Sequence, residues 1–239
     1  VAASGVVSTI DIRLQTIAEN SAKAIQKGAI VIADVKTGKI RACVSVPNID
    51  KQNITDSLNS EDSPFLNRAI NAYNVGSVFK PCVAAAGIEA QKSSFLYKCT
   101  GSCEIIDRIF KCHNPEGHGF LKLKGAIAQS CNTFFYNFAF KIGADEILKT
   151  ANNLKFGKSL KLCEEIETAS GNLPSINTLS NKAQLANFSI GQGELLLTPI
   201  SMLTLYSAIA NGGIYYSPSI VEGTVKDAKF SEYSTGNPT

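Results

Sequence analysis

Two short motifs hold the residue types of a serine-centred acyl transfer. The first is Ser77-Val78-Phe79-Lys80. Residues three apart share a helix face, so the Lys80 amine can reach the Ser77 hydroxyl. An amine placed there can take the hydroxyl proton and turn serine into a nucleophile. It does so only as the neutral base, which burial and a nearby cation favour by lowering the lysine pKa. Gly76, just ahead, lets backbone approach a substrate closely, and a helix start gives Ser77 the favourable end of the dipole. The second motif is Ser130-Cys131-Asn132. Its hydroxyl can relay a proton between the lysine and a leaving amine, and its amide can hold the substrate backbone and the lysine together. Each motif alone is common, the first on surface helices and the second as a cap or turn. Their succession in one chain is the specific signal.

The chain has 239 residues, 44% hydrophobic and 18% charged, an ordinary globular balance that suits one or two domains. The net charge of +3 is too small to argue for nucleic acid or an anionic membrane. No apolar run is long enough to cross a bilayer, and residues 1–8 carry no signal-peptide pattern or initiator Met. The sequence therefore reads as a piece of something longer. Thr9–Lys27 reads as an amphipathic helix with Ile10, Leu14, Ile17 and Ile25 on one face. Ala29–Val46 reads as a β-hairpin turning at Lys36-Thr37-Gly38. Pro47–Pro64 reads as a polar loop, Ser77–Gln91 as a buried helix, and Lys98–Gly119 as irregular. Leu121–Ile142 reads as helical and aromatic, and Lys149–Ala186 as further helices and loops. Thr198–Ala210 is a helix capped by Thr198, with a stripe of Met202, Leu203, Tyr206 and Ile209, ended by Asn211-Gly212-Gly213. The order predicts an α+β fold, an antiparallel sheet beside a helical subdomain. Residues 1–50 and 195–239 bear the sheet, and 65–194 are mostly helical.

Ser-x-x-Lys followed by Ser-x-Asn is two-thirds of a signature shared by penicillin-binding proteins and class A β-lactamases. LNRAINAYNVGSVFKP (66–81) resembles the nucleophile segment of class B penicillin-binding transpeptidases. CHNPEGHGFLKLKGAIAQSCNTFFYNFAFKIG (112–143), SIGQGELLLTPISMLTLYSAIANGG (189–213) and VVSTIDIRLQ (6–15) resemble their second-motif region, their Gly-Gln-Gly segment and the start of their catalytic domain. The likeness covers nearly the whole chain and leans toward the elongation type. It implies the penicillin-binding transpeptidase/β-lactamase-like fold and a peptidoglycan D,D-transpeptidase blocked covalently by β-lactams. Ser77 would attack the D-Ala-D-Ala end of a stem peptide, Lys80 act as base, Ser130 as relay and Asn132 as substrate contact. The Ser77 N–H would be one oxyanion donor. The resemblance implies no cofactor for catalysis, stem peptides, β-lactams and elongation proteins as partners, no nucleic acid, and an inner-membrane anchor outside this chain with the domain facing the periplasm. A β-lactamase or penicillin-sensing domain is the second reading, though no Glu stands where a deacylation base is needed. A non-catalytic scaffold is the third.

The resemblance also predicts a Lys-Thr/Ser-Gly strand after the Gly-Gln-Gly segment. Residues 194–239 contain none, and Lys36-Thr37-Gly38 lies where the family has a hairpin turn. That strand would bring a second oxyanion donor, and one lost donor costs about 10²–10³ in rate. Residues 1–239 alone are therefore expected to be weakly active or inactive, with the C-terminal strands truncated.

Seven cysteines cannot all pair within one chain. Both histidines, His113 and His118, sit among Cys99, Cys103, Cys112 and Cys131. Cys99, Cys112, His118 and Cys131 make a Cys₃His set suited to structural zinc, and elongation-type relatives place metal ligands in this region. A Cys99–Cys112 or Cys103–Cys112 disulfide, with Cys131 a buried small residue and His118 a loop hydrogen-bonder, stands equally open. Cys43, Cys82 and Cys163 read as core or surface residues in a strand, the nucleophile helix and a helical stretch.

Overall fold

The computed structural model describes residues 4–227, 229–234 and 238, so the ends of the 1–239 span lie outside the described residues. In chain order come β1 (Ser4–Ser8), α1 (Ile12–Ala22), β2 (Gly28–Ala33), β3 (Ile40–Val46) and α2 (Ile54–Asn59). A 3₁₀ turn, Gly76–Phe79, then leads directly into α3 (Lys80–Glu89). Next are β4 (Tyr97–Cys99), β5 (Ser102–Ile105), β6 (Arg108–Lys111), β7 (Gly119–Leu121), α4 (Leu123–Ala128) and α5 (Asn132–Ile142). The chain continues with α6 (Ala144–Asn153), α7 (Ile176–Leu179), α8 (Lys182–Ser189), α9 (Pro199–Ala210), β8 (Val221–Lys226) and β9 (Lys229–Glu232). Among the described residues no helix is long and apolar enough to cross a membrane.

The elements form two compact units. The sheet-bearing unit takes residues up to 72, 158–171 and those from 197 onward. β2 and β3 pair antiparallel around Lys36-Thr37-Gly38, which is the hairpin turn expected there, and β1 pairs with β8, which pairs with β9. Asp11 caps α1 by accepting the Arg13 N–H at 2.9 Å, so the helix starts later than Thr9 and stops at Ala22, short of Lys27. This start sets which face is buried. Leu14, Ala18 and Ala22, four apart, pack on Ala42, Val44 and Val46 of β3. Ile17 and Ile25, expected inward, are 59% and 39% exposed. The α9 stripe is corrected likewise. Ile200, Ser201, Met202, Thr204, Leu205 and Ala208 are buried, whereas Tyr206 and Ile209 are exposed. α9 is apolar on nearly every face, so periodicity could not choose its buried side. Residues 158–171 are not helical. Leu160 and Leu162, on either side of Lys161, pack into a core with Ile40, Ala69 and Ile200, and Cys163 lies in a bend.

The second unit comprises 73–157 and 172–196. Its core is aromatic: Phe79 packs on Phe188 and Phe156, and Phe134, Phe135 and Phe138 of α5 are fully buried. α3 meets α5 at Gly87, where a Cβ would stand 2.2 Å from the Phe138 ring. Lys98–Gly119, expected to be irregular, is instead two nested hairpins, β4 with β7 and β5 with β6. Their strands are three or four residues long, too short for alternation to show in a Gly- and Pro-rich stretch. In the first unit, the polar Pro47–Pro64 loop likewise contains the short helix α2.

The α1 register makes a direct prediction. Ala18→Leu should destabilise by about 1–3 kcal/mol through overpacking. Ile17→Ala should stay within about 0.5 kcal/mol. Urea denaturation of the two variants measures both, and the reverse order would contradict the register.

Candidate active site

Lys80 is the first residue of α3 and only 2% exposed. Its ammonium donates to the Ser130 carbonyl at 2.6 Å, the Ser130 Oγ at 3.0 Å and the Asn132 Oδ1 at 2.7 Å. Three N–H groups thus meet three neutral oxygens, and the Phe135 ring lies 5.6 Å from Nζ. Burial pushes Lys80 down to about 8, against an opposing pull from Cys112 and Cys131. On losing its proton the amine still donates twice and can accept from the Ser130 hydroxyl.

Ser77 lies in the 3₁₀ turn one turn ahead of Lys80, exposed to solvent. The structure therefore brings Lys80, Ser130 and Asn132 into direct contact and sets Ser77 at the mouth of the same helix. The Ser77 hydroxyl makes no hydrogen bond among the described residues, so the Ser77–Lys80 bond expected from their spacing is not made in this state. Apo catalytic contacts are often long and tighten with substrate.

Two backbone features hold these residues. Ser130 has φ 48°, a left-handed conformation that costs a non-glycine residue roughly 1–2 kcal/mol. It breaks the helical run between α4 and α5 and aims both its carbonyl and its hydroxyl at Lys80. The Gly191-Gln192-Gly193 segment is a tight turn whose Gly191 carbonyl accepts the Gly76 N–H at 2.8 Å. A Cβ on Gly191, itself at φ 73°, would lie 2.1 Å from the Gly76 carbonyl oxygen. The Gly-Gln-Gly segment was legible in the sequence, but this backbone-to-backbone contact was not, because no side chain encodes it.

Beside the second motif, the ligand atoms of Cys99, Cys112, His118 and Cys131 all lie within 4.8 Å of one another. The His118 Nδ1 is 3.6 Å from both Cys99 and Cys112 sulfurs, and Cys112 and Cys131 sulfurs are 3.9 Å apart. A tetrahedral zinc with bonds of about 2.3 Å to sulfur and 2.0–2.1 Å to nitrogen requires separations of about 3.8 and 3.6 Å. All seven cysteines are free thiols, so neither the Cys99–Cys112 nor the Cys103–Cys112 disulfide is formed. Burial raises the Cys131 thiol. Burial also acts to raise Cys99, but hydrogen bonds from Thr133, the Gly101 amide and His118 outweigh it and leave that thiol lowered. His113 is exposed and stands outside the set, 3.9 Å from Cys112.

The family described as "Penicillin binding protein transpeptidase domain" matches residues 28–238. The chain belongs to this family. Among curated relatives, the peptidoglycan D,D-transpeptidase MrdA of Escherichia coli K12 is 27% identical over 92% of this chain and 38% of its own length. The chain thus spans well under half of that relative. Among solved structures, Pseudomonas aeruginosa PBP2 in complex with WCK 5153 superposes with a TM-score of 0.85 at 28% identity, over 98% of this chain and 57% of that one. Penicillin-binding protein A of Mycobacterium tuberculosis, as its penicillin G acyl-enzyme complex, superposes with a TM-score of 0.85 at 25% identity, over 99% and 58%. The α+β fold expected from sequence is the transpeptidase fold, and the relatives place the chain with the class B, elongation-type members. Transpeptidases of this family need no catalytic cofactor.

Gly191→Ala should distort the turn that carries Ser77. We expect a loss of about 1–3 kcal/mol in denaturant melts. Any labelling by penicillin should slow by about 10–100-fold. Gly193→Ala shares the positive-φ strain (φ 76°), but its Cβ would meet nothing closer than 3.5 Å, so it should be milder in both assays.

Proposed function

We propose that this chain is the catalytic part of a peptidoglycan D,D-transpeptidase of cell elongation, acting through an acyl-enzyme on Ser77. The observation that carries the proposal is the buried Lys80 amine, held between Ser130 and Asn132 one turn after an exposed serine. Ser77 Oγ attacks the carbonyl of a D-Ala-D-Ala stem peptide as its proton passes to Lys80. The peptide C–N bond then breaks, and the leaving D-Ala amine takes a proton through Ser130. The ester on Ser77 is cleaved by an amine of a neighbouring stem peptide, which completes the cross-link. Asn132 orients the substrate backbone, and the Ser77 N–H contributes an oxyanion donor. A β-lactam offers the same carbonyl but keeps its leaving group tethered, so Ser77 stays blocked. The penicillin G acyl-enzyme of the M. tuberculosis relative supports this reading. The parent protein is membrane-anchored, faces the periplasm and works with other elongation proteins, a reading supported by its likeness to MrdA.

Intact-mass measurement after incubation with penicillin tests the nucleophile. We expect an added mass of one penicillin on a longer form of the chain carrying a Lys-Thr/Ser-Gly strand, lost in Ser77→Ala, and little or none on residues 1–239. Only neutral Lys80 is a base, so the labelling rate should rise with pH through about 8. No adduct on any form would overturn the proposal and favour the scaffold reading.

Cys99, Cys112, His118 and Cys131 would hold a structural zinc. Three thiolates and one imidazole suit that ion, which would supply a rigid cross-link rather than reaction chemistry. Cys131 lies between Ser130 and Asn132, so the cross-link would fix the turn that holds Lys80. Elemental analysis of protein purified without chelator should find one zinc per chain, reduced in Cys112→Ser. Metal-free protein would count decisively against it.

A further inference from the structure

We propose that Thr133 is a positioning residue of this centre, its hydroxyl donating to the Cys99 sulfur and tying β4 to the second motif. The proposal rests on the zinc reading above. Thr133 is completely buried in the first turn of α5, directly after Asn132. A threonine there ordinarily bonds a nearby backbone group. This hydroxyl instead lies 3.1 Å from the Cys99 sulfur, as donor, and 3.5 Å from the Cys131 sulfur. Its own carbonyl accepts from the Asn137 side chain at 2.9 Å, which fixes the peptide. Valine would fill the same space, so packing alone does not call for a hydroxyl. A buried hydroxyl is retained at low cost only where it is bonded, and here its two closest partners are sulfurs, with the Tyr97 phenol also beside it. Cys99 arrives on β4 and Cys131 caps α5, so Thr133 closes a Cys131–Thr133–Cys99 chain across two elements. Outer hydrogen bonds of this kind orient ligands and tune affinity. Through Cys131 the same bond steadies Ser130 and Asn132, and through them Lys80.

The test is cobalt(II) titration of the zinc-depleted full-length protein, read by thiolate-to-cobalt charge-transfer absorption, with zinc competition for affinity. Wild type should show the bands of a tetrahedral thiolate site. Thr133→Val should bind about 10–100-fold more weakly, with shifted bands. Thr133→Ser should restore affinity, whereas Thr133→Ala should not. The Ser/Ala pair differs only by the hydroxyl, so the comparison stands even if the valine variant fails to fold. Equal affinity and spectra in wild type, Val and Ala would overturn the role of Thr133 and leave the zinc reading intact. Equal weakening in Ser and Ala would also overturn it, assigning the effect to the methyl group. Absence of bands in wild type would overturn both.

Discussion

A lysine ammonium taken almost wholly out of water is the constraint from which this site is built. Lys80 carries its charge among neutral oxygens and an aromatic ring, and the pull of Cys112 and Cys131 offsets only part of the lost hydration. Burial of that kind is tolerable only if every N–H finds an acceptor, and the three acceptors come from a single turn, Ser130–Asn132. The position of that turn is therefore dictated by α3, and the two must be brought together by packing that leaves little slack. Gly87 against Phe138 supplies it, since no larger residue on α3 would let α5 approach as closely.

The same demand explains the local irregularities. An unbroken helix from Leu123 to Ile142 would point the Ser130 carbonyl along its own axis, into the next turn. The left-handed Ser130 breaks the run and frees both oxygens for Lys80. Strain of this order survives where its surroundings over-determine it. Here they do: Cys131 is buried against the other sulfurs, α5 is anchored by three phenylalanines, and Lys80 holds the oxygens. Ser77, by contrast, is left exposed on a 3₁₀ turn, where the proposed nucleophile can be reached.

Much of this was legible in sequence because it is written in residue types at short spacing. Ser77, Lys80, Ser130, Asn132 and the Cys₃His set were all singled out that way as candidates, and the structure gathers all but Ser77 into direct contacts. The β2–β3 hairpin and the Thr198 cap were read for the same reason. What escaped depended on partners distant in sequence. The buried faces of α1 and α9 were misjudged because Ala18 and Ala22 carry little hydrophobic signal and α9 is apolar all round. The nested hairpins escaped because their strands are too short for a period. Thr133 looked like an ordinary helix residue until Cys99 was placed beside it.

The Gly76–Gly191 contact has a consequence for how the site comes into being. It joins two glycine backbones at opposite ends of a unit whose chain departs at Gly157 and returns at Asn172. Long-range closures of this type are slow, because the intervening chain must be ordered before the contact rewards it. As the protein is synthesised, Ser77 emerges well before the turn that locks it. The setting of Ser77 is therefore among the last features of its unit to mature, and a nascent chain carries the serine long before it carries the turn that holds it.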